Sequence, residues 1–99
     1  MTIGKQVSGN SLILRLEGRL DTITSKQLEA ELGELDGKKS VTLDFADIAY
    51  VSSAGLRVLL AMQKKMNALQ GELKLIHVHP DVNEVFEMTG FSEFLAIEM

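Results

Sequence analysis

Two adjacent serines, Ser52 and Ser53, stand directly before a long apolar-periodic stretch and are the residues of this chain best placed to do chemistry. The segment reads Val51-Ser52-Ser53-Ala54-Gly55-Leu56-Arg57-Val58-Leu59-Leu60. A serine before an apolar helix is an ordinary N-cap, its hydroxyl accepting from one of the free backbone N–H groups of the first turn. Here two hydroxyls stand where a cap needs one. Ala54-Gly55 keeps the first turn free of bulk, which predicts a junction open to another molecule. A helix N-terminus also favours negative charge by roughly 0.3–1 kcal/mol, so the fold would tolerate a phosphate there. A phosphoserine brings about −1.5 to −2 charge, and a partner docked on that surface would face a desolvated dianion. The junction therefore predicts a phosphorylation switch on one of the two serines.

Other chemistry is less well served. A nucleophilic serine on a hydrolase elbow needs Gly-x-Ser-x-Gly, and only Gly55 fits one of those glycines. His77 and His79 alternate along an expected extended segment, which would put both imidazoles on one side. A metal there would have to take carboxylates such as Asp81 or Glu84, and solvated histidines at a strand end are the plainer reading. Asp21 and Asp44 each close a strand or open a loop, where aspartate commonly serves as a turn or cap residue. Parallel strands would gather their carboxyl ends at one edge and bring both aspartates near Ser53, to crowd a docking kinase or to stay solvated. The methionines read as core filler.

Bulk properties narrow the classes further. The chain has 99 residues, 45 % of them apolar, enough for one domain with one modest core. It has no cysteine, which excludes disulfide, thiolate–zinc and thiol-redox chemistry. The formal charge of −4 and pI near 5.1 argue against nucleic-acid binding, which draws on Lys/Arg–phosphate contacts. No window approaches the ~18–20 apolar residues of a membrane span. A soluble cytoplasmic protein with a protein partner is the expectation, with no membrane insertion.

The elements that must position the serines follow from periodicity. Thr2 to Val7 reads as a strand, Ser8-Gly9-Asn10-Ser11 as a turn, and Leu12 to Glu17 as a second strand antiparallel to the first. Gly18-Arg19-Leu20-Asp21-Thr22 leads into a helix over about Ser25 to Leu35, capped by Thr22 or Thr24, with Leu28, Leu32 and Leu35 as its stripe and Gly37 as its end. Val41 to Phe45 alternates as a strand and is followed by a short loop. The helix that starts at Ser52-Ser53 runs to about Leu69, burying Leu56, Leu59, Met62, Met66 and Leu69, with Arg57, Ala61, Lys64 and Ala68 opposite. Gln70-Gly71 is expected to stop it as a glycine C-cap. Glu72 to Val78 is the next strand. Pro80 opens a third helix burying Val82, Val85, Phe86 and Met88, and Thr89-Gly90 ends it. A short strand or tail follows. The order ββαβαβα(β) predicts an α/β fold with a mixed, mostly parallel sheet of four to five strands. Polar residues alternate in three strands (Arg15 and Glu17, Thr42 and Asp44, Glu72 and Lys74), which places the helices mainly on one face, in two layers.

The segments Gly18-Arg19-Leu20-Asp21, Leu43-Asp44-Phe45, Val51-Ser52-Ser53-Ala54-Gly55-Leu56 and Met88-Thr89-Gly90-Phe91 resemble the STAS domain of bacterial anti-sigma factor antagonists, across essentially the whole of residues 1–99. The resemblance implies a single STAS domain and a non-enzymatic binding module without cofactor or metal. It implies partner switching: the unphosphorylated antagonist sequesters an anti-sigma factor that is also a serine kinase and so frees a sigma factor. Phosphorylation by that kinase releases it, and a PP2C-type serine phosphatase restores it. The family's acceptor falls on Ser53, with Ser52 as second choice, because Ser52 stands where many members have aspartate. Ala54 stands where several relatives carry a further hydroxyl. Asp21 and Thr22 match the loop beside the acceptor, and the implied binding surface comprises Asp21, Thr22, Ser52, Ser53, Ala54, Gly55 and Arg57. STAS-like domains also serve as adaptor subunits of membrane transport systems for lipids or anions, which is the alternative reading.

Overall fold

The computed structural model describes all residues from Met1 to Met99. Strand β1 (Thr2–Ser8) turns at Gly9-Asn10, with Gly9 at φ +59°, into β2 (Ser11–Leu20), its antiparallel partner. Beside β2 lies β3 (Ser40–Val51), then β4 (Glu72–Ile76), then β5 (Ala96–Ile97), each parallel to the strand before it. The order in the five-stranded sheet is the order in the chain. Helices α1 (Ser25–Glu29), α2 (Ser53–Ala68) and α3 (Pro80–Met88) fill the connections. Leu12, Leu14, Leu16, Val41, Leu43, Leu73 and Leu75 point from the strands into one core with Leu28, Leu56, Leu59, Met62, Met66, Val82 and Phe86 from the helices. Their neighbours Arg15, Glu17, Glu72 and Lys74 are exposed on the other side of the sheet. The result is the expected two-layer α/β sandwich with helices on one face. No helix is long and apolar enough to cross a membrane.

Strand β3 departs most from the expectation. It does not stop at Phe45 before a loop but runs to Val51, with Ser52 alone between strand and helix. Its pairing with β2 slips twice: Arg15 and Glu17 face Asp44 and Asp47, then Gly18 and Leu20 face Ile48 and Val51. Each slip sets three residues of β3 against two of β2, which is a β-bulge. Inward positions after Phe45 therefore fall at Ile48 and Val51, spaced by three. Period-2 reading fails there because the bulges consume the extra residues.

Smaller corrections have equally local causes. The first helix is α-helical only to Glu29 and continues as 3-10 from Ala30 to Leu35, where Gly33 weakens the α form. Neither Thr22 nor Thr24 caps it through a side chain. At the end of α2 the left-handed residue is Gln70 (φ 59°), not Gly71. The Gly71 N–H bonds to the Met66 carbonyl at 2.8 Å and the Gln70 N–H to the Asn67 carbonyl at 3.1 Å, the paired bonds of a Schellman motif. Gly71 is needed for room: a Cβ would sit 2.8 Å from the Lys39 carbonyl oxygen. His77, at φ 56°, ends β4 two residues earlier than expected, so His77-x-His79 is not an extended segment. Met88 is 80 % exposed, because it follows the buried Phe86 by two residues and so lies on the other side of α3. Met62 and Met66 are core, whereas Met88 and Met99 are surface.

Candidate functional site

The carboxyl ends of β2 and β3 and the start of α2 meet at one point. The Ser52 N–H donates to the Leu20 carbonyl at 2.8 Å, which ties the strand–helix junction to the end of β2. Gly55 makes that approach possible. A Cβ there would lie 2.7 Å from Leu20 Cγ and 3.1 Å from the Leu20 carbonyl oxygen. Gly55 is buried, so its absent side chain serves packing against Leu20 rather than an open surface, contrary to the expectation that it lines the partner face. Ala54 is half-buried.

The two serines have different surroundings. Ser52 is the N-cap of α2, in extended conformation, and its hydroxyl accepts from the Gly55 N–H at 3.2 Å. Ser53 is the first helical residue, exposed, and its hydroxyl bonds to no other group of the protein. The Ser53 and Ala54 N–H groups have no partner within the helix, as helix geometry requires of a first turn. One hydroxyl is spent on the cap and the other is free.

The loop after β2 is held by its own side chains. Asp21 Oδ1 accepts from the N–H groups of Ile23 (3.0 Å) and Thr24 (2.9 Å) and from the Thr24 hydroxyl (3.1 Å). The Asp21 N–H donates to Thr24 Oγ1 at 2.8 Å, and that hydroxyl donates to the Arg19 carbonyl. The Thr24 hydroxyl is thus turned back into the loop, which is why it does not cap α1. The bonds from Thr24, then that from Ile23 and the charge of Arg19, outweigh burial and hold the Asp21 carboxyl below the usual aspartate range. Thr22 is exposed at the loop's outer side, and its carbonyl accepts from the buried Ser25 hydroxyl. A shallow cavity of about 250 Å³ runs between α1 and α2, with Thr22, Lys26, Ala54 and Arg57 among its walls. Arg57 is exposed one turn beyond Ser53.

Asp21, Thr22, Ser52, Ser53, Ala54, Gly55 and Arg57 are thus brought to one end of the molecule. Asp44 is not. It lies seven residues before the end of β3, on the order of 20 Å back along the strand. Its Oδ1 accepts from the Ala46 N–H at 3.0 Å and pairs with His77 Nδ1 at 2.9 Å, while Arg15 Nε stands 4.0 Å from Oδ2. Burial works to raise this carboxyl's pKa, and the Ala46 N–H, His77 and Arg15 together override it and hold it low. His79 Nε2 lies 2.6 Å from the Ala46 carbonyl. Both histidines therefore brace β3 where it bulges, and no group of three or more His, Asp or Glu side chains converges as metal ligands would.

Three further residues at the site escaped the sequence pattern. Ile23 is 78 % exposed and Tyr50 is 42 % exposed. The Arg19 guanidinium lies over the Tyr50 ring, 4.2 Å from its centroid. The only available signal was an isoleucine flanked by two threonines in a loop; Tyr50 became visible once the bulged part of β3 was seen to be a strand.

Fold and site define a class: a two-layer α/β domain presenting, at one end of its sheet, a helix start with a free serine beside a braced loop. A family model for the STAS domain matches residues 2–99, and the chain belongs to that family. Among its relatives is BtrV of Bordetella bronchiseptica, a candidate anti-sigma factor antagonist. It is 46 % identical over 82 residues, which span 81 % of this chain and 71 % of that protein. The anti-sigma factor antagonist SpoIIAA shares the fold at 20 % identity, in its unphosphorylated form, with a TM-score of 0.77 over 99 % of this chain and 87 % of its own. The phosphorylated form of Bacillus SpoIIAA superposes as well, at 0.75. A sulfate transporter family protein from Wolinella succinogenes has the same fold at 18 % identity, with a TM-score of 0.82 over 95 % of this chain and 80 % of its own.

Proposed function

We propose that this protein is an anti-sigma factor antagonist switched by phosphorylation of Ser53. In the unphosphorylated state it sequesters an anti-sigma factor that is also a serine kinase, and so frees a sigma factor. Phosphate on Ser53 drives the partner off, and a PP2C-type phosphatase returns the protein to its binding form. The observation that carries this reading is the division of labour between the serines: Ser52 is held as the cap, while Ser53 is exposed with an unengaged hydroxyl. A kinase can reach the second without unravelling the helix start. The dianion would sit where the helix dipole stabilises it, so the switch acts on the interface and leaves the fold intact. The kinship with BtrV, at 46 % identity, supports the antagonist role.

Site-mapped mass spectrometry of the protein from its own cells, with a Ser53→Ala control, tests the reading. Phosphate on Ser53 that disappears in the variant is the expected result. Phosphate on Ser52 would keep the mechanism and move the acceptor. No phosphate under any growth condition would overturn the switch and favour a constitutive adaptor of a membrane transport system.

A further inference from the structure

We propose that Ile23 is the anchor through which this end of the molecule grips its protein partner, and that the partner supplies an apolar pocket with an acidic rim. The inference rests on the antagonist reading of the Ser53 surface and names the contact that reading leaves undefined. Ile23 is 78 % exposed in a polar loop, so its side chain is available to a partner. It is also not a loose loop tip. Its own N–H is fixed to Asp21 Oδ1, and the next residue, Thr24, is tied to Asp21 through both its N–H and its hydroxyl and to the Arg19 carbonyl. An apolar side chain held in place before binding loses little freedom when it docks, which is the property of an efficient anchor. Such anchors carry most of an interface's energy when a closed pocket receives them and a polar ring excludes water.

The surrounding charge specifies the rim. Arg19, with its side chain 65 % exposed, lies over Tyr50 on one side of the loop. Lys26 and Arg57 are exposed on the other side and line the cavity between α1 and α2. Of the nearby acids, Asp21 is engaged within the loop and by Arg19, Glu29 lines the same cavity as Lys26 and Arg57, and Asp47 lies back along β3. Although the whole chain carries −4, in the frame around Ile23 the three cations (Arg19, Lys26 and Arg57) outnumber the two acids (Asp21 and Glu29). A partner rim carrying carboxylates matches it, and the same carboxylates, drawn to Arg57, would repel a phosphate on Ser53 one turn away. The anchor supplies affinity and the rim makes that affinity sensitive to phosphorylation. Val7, exposed as well, lies away from this frame, paired with Leu12 at the opposite end of β2.

The test is titration calorimetry of the full chain against a purified anti-sigma factor serine kinase from its own organism, at low and high salt. Ile23→Ala should weaken binding ~30-fold and Ile23→Asp more than ~100-fold, within the range of hot-spot losses. Ile23→Val should stay within about threefold, and Val7→Asp within about twofold, as expected outside a hot spot. Thermal melts of all four should match wild type, since both positions are exposed. Wild-type affinity in Ile23→Asp would overturn the anchor while leaving the Ser53 switch standing. Affinity that does not fall with added salt would overturn the acidic rim. Failure of the wild type itself to bind would overturn the antagonist reading, and the anchor with it.

Discussion

Two clusters of polar residues flank β3, one at its carboxyl end and one beside its middle, where β4 ends, and only the first has anything left over. Around Asp44, every participant has a partner within the protein: the carboxylate has Ala46, His77 and Arg15, and His79 has the Ala46 carbonyl. Around Asp21 the bonding is just as dense, but its result is different. The loop and the cap are satisfied internally, while Ser53 Oγ, the Ile23 side chain and Arg57 remain free at the surface. Closure at Asp44 describes a brace that holds a bulged strand. Surplus at Ser53 describes a site. Titratable residues stand in both clusters, so their presence does not separate the two.

The sharpest way to break this contrast is to place a charge at the free position. Ser53→Asp should weaken partner binding by about two to three decades, on the order of 3–4 kcal/mol, with the melting curve unchanged. Ser53→Ala should bind as wild type and resist release by the kinase. If Ser53→Asp binds as tightly as wild type, electrostatic repulsion is not how the surface switches.

The next effect concerns what positions the site rather than what it presents. Gly55→Ala places a Cβ 2.7 Å from Leu20 Cγ, and Leu20 is fully buried and has nowhere to move. Overpacking of this kind costs roughly 1–3 kcal/mol, which urea denaturation would resolve. A variant as stable as wild type would show that the helix start is not clamped against β2. Ser52→Ala should cost less, ~1 kcal/mol for a lost cap, and should leave Ser53 a substrate for the kinase. Loss of phosphorylation on Ser53 in that variant, with the fold intact, would contradict the assignment of Ser52 to the cap alone.

These two glycine and serine positions also mark where the sequence was informative. The span of α2 could be read from its apolar spacing, and Leu56, Leu59, Met62 and Met66 are all buried as that spacing requires. That one serine caps and one is spare was legible as a count of two hydroxyls; which was which depended on the single bond from Gly55 to Ser52. The extension of β3 was hidden because two bulges destroy alternation between Phe45 and Val51, and with it went Tyr50. Gly55 looked like openness in the sequence because pattern reading cannot see Leu20 against it. Asp44 looked like a neighbour of Ser53 because a strand thought to end at Phe45 would have delivered it there. The misplacement of Asp44 and the loss of Tyr50 followed from one misread strand, while the start of α2 at the two serines was legible because it is local.

The smallest expected effect tests the brace. Asp44→Asn keeps an oxygen for the Ala46 N–H and removes the charge that faces His77 and Arg15. The folded carboxyl titrates below its ordinary value, so it contributes stability that is fully present above the unfolded pKa, about 3.9, and is lost as pH falls through the lower folded value. The variant should therefore be less stable than wild type near neutral pH by roughly 0.5–1 kcal/mol, as for a partly exposed ion pair. That gap should close in acid, when wild-type Asp44 is itself protonated, and partner affinity should not change at either pH. Urea midpoints of the two proteins, compared at neutral and acid pH, measure the first part and titration with the anti-sigma factor the second. A gap that persists unchanged into acid would mean that the carboxylate's charge does not hold the brace. A loss of partner affinity would mean that the two clusters are coupled through β3, and that the closed one also belongs to the site.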